Sequence, residues 1–267
     1  MPKLLGAFLI TLFAGLSTGI GSSIAFLAKK TNTKFLAVSL GFSAGVMIYV
    51  SMIDIFFEAQ KALTESLGAK AGSWVTAASF FGGILLIALI DKFIPQAKNP
   101  HEFRKVEEMG GGEKNYAHSK LMRTGVYTAV IIAIHNFPEG IAAFVTAMHD
   151  YSIALPIAVA IAIHNIPEGI AVSVPIYYAT GSRKKAFMYS FLSGLSEPLG
   201  AVIAYLILMP FLNQTVFGVI FAAVAGIMVF ISFDELLPSA KEYGNHHLAI
   251  YGLIAGMAIM AISLLLI

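Results

Sequence analysis

Cysteine is absent from all 267 residues, which rules out disulfides and thiolate metal ligands and leaves the redox compartment unspecified. Charge is scarce as well. Asp, Glu, Lys and Arg make up 12% of the chain, about half the share of an ordinary soluble domain, and they nearly cancel to a net charge of +2. Nothing in that balance points to a nucleic-acid partner. What fills the sequence is apolar: 58% of residues are hydrophobic and the mean hydropathy is +0.81. Such a chain is expected to be an integral membrane protein.

Crossing roughly 30 Å of hydrocarbon takes about 20 apolar residues in a helix. Runs of that kind lie near 5–27, 35–57, 73–94, 122–148, 152–178, 186–209, 215–238 and 248–267. They lack the alternation of barrel strands, so an all-α bundle of eight transmembrane helices is expected, forming a single domain over 1–267. The first run has neither the short apolar centre nor the small-residue cleavage site of a secretory signal, and reads as a retained helix. The long connection, 95–121, holds Pro95, Pro100 and a run of three glycines among its charges. It reads as a flexible linker whose His101 and His118 are solvated.

Basic residues set the orientation, because short cytoplasmic loops collect Lys and Arg. Loops after the odd-numbered helices hold fourteen of them, from Lys29 and Lys30 to Arg183 and Lys241, whereas the opposite side holds Lys3, Lys61 and Lys70. The odd loops, linker included, are therefore expected in the cytosol and both termini outside.

The chemistry is concentrated in one repeated string. IAIHNFPEGIA at 132–142 recurs at 161–171 with Phe137 replaced by Ile166 and no other change. Each copy puts a His, an Asn and a Glu at the centre of a spanning helix, and intramembrane ionisable groups are costly enough to mark function. His135 and Glu139 stand four apart, Asn136 and Glu139 three apart, so all three share a helix face, and His164, Asn165 and Glu168 repeat the arrangement. Neighbouring spans run antiparallel, so a direct repeat in them implies an inverted repeat with a pseudo-two-fold axis in the membrane plane and a site near mid-depth. Pro138 and Pro167 release the carbonyls of Ile134 and Ile163. Gly140 and Gly169 allow a neighbouring helix to come close.

Two imidazoles and two carboxylates form a donor set that Zn²⁺ accepts in four-coordination and that suits Fe²⁺, Mn²⁺, Co²⁺ and Cd²⁺ less selectively. Asn136 and Asn165 offer neutral oxygens for a second, harder site that shares Glu139 and Glu168 as bridges, with Glu197 of the sixth helix as its third carboxylate. The alternative is a network of buried His, Asn and Glu that only hydrogen-bond one another.

Paired His-Asn-x-Pro-Glu-Gly motifs in neighbouring helices, with Glu197 in the next, resemble the ZIP (ZRT/IRT-like) family of zinc and iron transporters, and its bacterial branch in particular. The resemblance covers the whole chain in helix count and linker position. It implies a binuclear site, with His135, Glu139, His164 and Glu168 at the first metal and Asn136, Glu139, Asn165, Glu168 and Glu197 at the second. It implies zinc uptake into the cytosol across a bacterial inner membrane, with iron, manganese, cobalt or cadmium as further substrates, the ion being cargo and no cofactor being held. Met47 matches a position where family members add a thioether ligand.

Acids nearer the helix ends outline a path. Asp54 and Glu58, with His149 and Asp150, fall on the outer side, and Asp91, Asp234 and Glu235 on the cytoplasmic side. An enzyme reading finds little support, since neither copy carries His-Glu-x-x-His nor the Glu-x-x-His order of di-iron bundles. A receptor would want a soluble output domain that the sequence lacks. Gly82 and Gly83 suggest a face for a homodimer.

Overall fold

A computed structural model describes residues 2–27, 33–93, 114–149, 151–243 and 246–265, and every element among them is helical. The helices are α1 (Pro2–Leu27), α2 (Thr33–Val50), α3 (Phe56–Leu67), α4 (Ala69–Phe93), α5 (Lys114–His149), α6 (Tyr151–Thr180), α7 (Arg183–Gly194), α8 (Ser196–Ile203), α9 (Gln214–Ile231), α10 (Leu237–Tyr243) and α11 (His246–Leu265). Five-residue π-turns join α2 to α3 (Ser51–Ile55), follow α8 (Ala204–Leu208), and join α9 to α10 (Ser232–Leu236).

Seven stretches of the described residues are long and apolar enough to cross a membrane. The eighth long helix is α5, of 36 residues, which runs unbroken through Pro138. The chain is a multi-pass membrane protein. α5 begins at Lys114, so the last part of the segment read as a linker is helical; the rest of it, with His101, lies outside the described residues. The second span is longer than its hydrophobic run suggests. It reaches Leu67, where Gly68 at φ +83° closes α3 and donates its N–H to Thr64 at 2.9 Å. That left-handed conformation suits glycine, which has no Cβ to clash.

The sixth run is one span, Arg183–Phe211, with a single irregular turn inside it. The turn falls at Leu195 (φ −68°, ψ −9°), two residues before Glu197 and three before Pro198, and helical bonds continue across it, from Leu195 N–H to Phe191 O at 3.1 Å and from Leu199 N–H to Leu195 O at 3.2 Å. Proline lacks the N–H that would bond the carbonyl of Gly194 four residues back, which accounts for the irregular turn.

The helices are apolar outside and mixed inside, as expected where lipid is the solvent. On α1, Leu5, Leu9, Phe13, Leu16 and Ile20 are exposed along one face, while Thr11, Ser17, Thr18 and Ser22 are buried on another. Buried hydroxyls mostly close back onto their own helix: Thr11 donates to the carbonyl of Ala7 at 3.0 Å, Thr76 to Gly72 at 2.8 Å and Thr146 to Ala142 at 2.7 Å. Among the described residues Thr18 Oγ1, Ser43 Oγ and Ser51 Oγ are buried without such a partner.

Packing rests on glycine against carbonyl. A Cβ at Gly21 of α1 would strike the carbonyl oxygen of Ile166 in α6, and one at Gly169 of α6 would strike that of Thr18 in α1. Gly140 of α5 meets Glu197 O of α8, and Gly200 of α8 meets Phe137 O of α5. Gly45 of α2 meets Leu253 O of α11, and Gly256 of α11 meets Phe42 O of α2. Gly226 of α9 meets Phe80 O of α4, and Gly83 of α4 meets Ala223 O of α9. Where apolar burial cannot drive helix association, such close approach supplies the dispersion contacts that do. It also accounts for one half of the glycine pair read as a dimer face. Gly83 is used within the chain, whereas Gly82 has nothing within 4 Å of its Cβ position.

Candidate metal centre

Glu139 of α5 and His164 of α6 meet across the interface of the two repeat helices, with His164 Nε2 3.1 Å from Glu139 Oε2 and both side chains fully buried. The described polar side chains of both motifs are turned inward. Asn136 and Asn165 are 0% exposed and Glu168 is 1% exposed. Asn165 reaches the other way. Its Nδ2 donates to Glu197 Oε1 and, at 2.9 Å, to the carbonyl of Ala14 in α1. Glu197 follows the irregular turn at Leu195 by two residues and is fully buried.

Within the sequence-derived set Glu139 meets His164 and Asn165 meets Glu197, and Glu168 follows His164 by one turn of α6. The His135 side chain lies outside the described residues, although its backbone is in α5. Among the described residues, no three His, Asp or Glu side chains converge as one group able to hold an ion.

Several buried polar atoms here have no hydrogen-bond partner: both side-chain atoms of Asn136, Oε1 of Glu139 and Oδ1 of Asn165. Leaving a buried acceptor unpaired costs about 1–3 kcal/mol, and more for a charged group. Four such atoms, one donor and three acceptors, lie on the facing helices α5 and α6. Three are oxygens, the donors a hard or borderline divalent cation takes. Met47 of α2 is fully buried and Met228 of α9 nearly so.

The acids read as a path sit apart from this centre. Asp54 and Glu58 are half-buried near the end of the second span, Asp91 is half-buried near the end of α4, and Asp234 and Glu235 lie in the π-turn after α9, the first exposed and the second half-buried. His149 is exposed, with its ring stacked on Phe217 at 4.8 Å, and its carbonyl accepts from Lys3 at 3.1 Å. Asp150 lies outside the described residues.

A second internal repeat escaped the sequence reading. AGVMIYVSMID at 44–54 and AGIMVFISFDE at 225–235 share Ala, Gly, Met and Ser at matching positions and exchange Asp54 for Glu235. In both copies the α-helix passes into a π-turn at the shared serine, Ser51 or Ser232. Its substitutions are mostly between apolar residues, so it is masked by the hydrophobic background. Only a comparison of the chain with itself at long separation brings it out.

The glycine contacts follow the same correspondence. Gly45 and Gly226 are matching residues of this repeat, and Phe137 and Ile166 match in the first repeat. Gly200 packs on Phe137 and Gly21 on Ile166. Gly15 and Gly194 pack on each other's carbonyl.

Residues 3–264 match the family model described as ZIP Zinc transporter. The chain is 66% identical over 266 residues to the zinc transporter ZupT of Oceanobacillus iheyensis, an alignment covering 100% of this chain and 99% of that one. It is 67% identical over 260 residues to the zinc transporter ZupT of Streptococcus mutans, covering 97% of both. It is 63% identical over 277 residues to the zinc transporter ZupT of Clostridium perfringens, covering 100% of this chain and 97% of the relative. With its helical bundle, its facing His-Asn-x-Pro-Glu-Gly helices and these full-length matches, the chain belongs to the ZIP family of zinc transporters.

Proposed function

We propose that this protein takes Zn²⁺ into the cytosol through a binuclear site at the α5–α6–α8 junction. It belongs to a family of transporters and is not an enzyme. His135, Glu139, His164 and Glu168 serve the first ion and Asn136, Glu139, Asn165, Glu168 and Glu197 the second, with the two repeat glutamates bridging. The observation that carries the reading is the buried Glu139–His164 contact, in which Glu139 keeps an unpartnered oxygen beside the unpartnered Asn136 amide. Fe²⁺, Mn²⁺, Co²⁺ and Cd²⁺ share the donor preferences and are proposed as further substrates.

Both repeats and the reciprocal glycine contacts support an inverted repeat that relates α5 to α6, α1 to the α7–α8 span, and α2 to α9. On the charge distribution, Lys3, Leu67 and His149 face the outside, and the linker and Arg183 face the cytosol of a bacterial cell. An incoming ion displaces the hydrogen-bonded contacts: His164 and Glu139 exchange each other for metal, and Glu197 trades the Asn165 amide for the second ion. Ligands bind metal in their deprotonated forms, so acidification weakens the site and protonation assists release.

The test is entry of Zn²⁺ into liposomes that hold the purified protein and a zinc-sensitive dye. Wild type is expected to admit zinc, and Glu168→Ala to admit none above protein-free vesicles. A wild type that binds zinc but passes none of the five metals would overturn transport.

A further inference from the structure

The strings GLSTGIG at 15–21 and GLSEPLG at 194–200 match each other, with Thr18 standing against Glu197, Gly19 against Pro198 and Ile20 against Leu199. Their contacts match too. The carbonyl of Thr18 lies against Gly169 and that of Glu197 against Gly140, the glycine at the same place in the other motif; Gly21 meets the carbonyl of Ile166 as Gly200 meets that of Phe137. Ser17 Oγ donates to the carbonyl of Ala14 at 2.5 Å, and Ser196 Oγ to that of Ser193 at 2.6 Å. Thr18 therefore occupies in α1 the position that Glu197 occupies in α8.

The two positions differ in what they reach. Glu197 accepts from the Asn165 amide. The corresponding pair is Thr18 and Asn136, and there Thr18 Oγ1 and both side-chain polar atoms of Asn136 are fully buried with no hydrogen-bond partner among the described residues. A threonine hydroxyl ends two bonds nearer the backbone than a glutamate carboxylate, a shortfall of roughly 2.5 Å. Nor can Thr18 fall back on its own helix, as Thr11 and Thr146 do by donating to the carbonyl four residues earlier. For Thr18 that carbonyl is Ala14, which already accepts from Asn165 Nδ2 and Ser17 Oγ. Three unsatisfied polar atoms thus belong to α1 and α5, two helices that pack together.

We propose that Thr18 is the α1 side of the second ion's site, its hydroxyl and the Asn136 amide together holding one water that the ion carries in, opposite Glu197. The length of the side chain decides between direct and bridged contact. Where the glutamate reaches with its own carboxylate, the shorter threonine reaches through a water, and a bridging water is enthalpically nearly as good as a direct bond. That water would find as many polar partners as a buried water typically makes. It adds a neutral sixth oxygen to the five protein groups proposed for this ion, the coordination number that oxygen-bound divalent cations favour. The inference rests on the binuclear reading above and assigns it one further residue.

Zinc titration of the full chain in lipid nanodiscs, with thermal unfolding in chelator beside it, tests the assignment. Thr18→Val keeps the shape and removes the hydroxyl. It is expected to raise the Kd of the second Zn²⁺ about fivefold, the worth of one net hydrogen bond, while the Kd of the first stays within about twofold. Its metal-free Tm should be no lower than that of wild type, because the lost hydroxyl had no partner. Thr18→Ser, which keeps the hydroxyl, should restore the second Kd. If wild type binds two ions and Thr18→Val binds the second equally tightly, the inference falls and the binuclear reading stands. A Thr18→Val protein that melts lower without metal and weakens for both ions alike, unrescued by serine, would make Thr18 a packing residue and overturn the inference as well. A wild type that binds a single ion would overturn the binuclear reading and this assignment with it.

Discussion

Glu139→Gln is expected to cut zinc uptake by about 100-fold or more, the upper end of what even an outer-sphere partner of a metal ligand is worth. The substitution keeps volume and shape, and its amide can still pair with His164, so the bundle should assemble normally. What it removes is the negative charge on a fully buried side chain that faces His164 at 3.1 Å and keeps Oε1 unpartnered. A second effect distinguishes this from a folding defect. Keeping a carboxylate in a dry interior costs stability in the absence of a counter-ion, so metal-free Glu139→Gln is expected to unfold at a higher temperature than metal-free wild type. Wild type should gain about 2.7 kcal/mol from zinc at 100 times its Kd, and the variant should gain almost nothing. Thermal scans with chelator and with zinc check both parts. A variant that loses stability without metal yet keeps its zinc-dependent gain would mean that Glu139 is a packing residue.

Gly169→Val is expected to destabilise the protein by about 3 kcal/mol or more, through sterics and with no ligand altered. A Cβ there would fall on the backbone oxygen of Thr18, and Ser190 Oγ lies only 3.2 Å from the same point. A flexible side chain could move aside, but a carbonyl in α1 cannot shift without its helix. Separating α1 from α6 also pulls Ala14 away from Asn165, which holds Glu197, so transport should fall with stability. Gly82→Val is the control, because nothing lies within 4 Å of its Cβ position; its change should stay within about 0.5 kcal/mol. Equal melting temperatures for the two variants, measured by tryptophan-independent dye fluorescence in detergent, would contradict the glycine–carbonyl description of the bundle.

The sequence disclosed these features unevenly, for physical reasons. Span positions were legible because lipid imposes a minimum apolar length, and the repeat string was legible because His, Asn and Glu stand out against leucine and alanine. The facing of α5 and α6 followed from spacing, and the Glu139–His164 contact agrees with it. Asn165 was read only as an oxygen donor, whereas its nitrogen ties Glu197 to α1. That role depends on the approach of three helices and has no local signature. The sixth span was legible as one run, and its irregular turn at Leu195 was not, since proline in apolar runs is common in membrane helices and Pro198 carries no further mark. The π-turns were invisible because a one-residue insertion leaves hydropathy unchanged. They emerge only when the strings at 44–54 and 225–235 are aligned and both are seen to change helix type at serine.

The central claim is that the paired motif binds the transported ion, and zinc stoichiometry at equilibrium tests it most directly. Purified wild type, titrated in nanodiscs and counted by elemental analysis, is expected to hold two tightly bound Zn²⁺ per chain. Glu139→Ala/Glu168→Ala should hold neither, because both proposed sites share those two carboxylates. Tight zinc retained in the double variant, or a wild type that binds none, would contradict it.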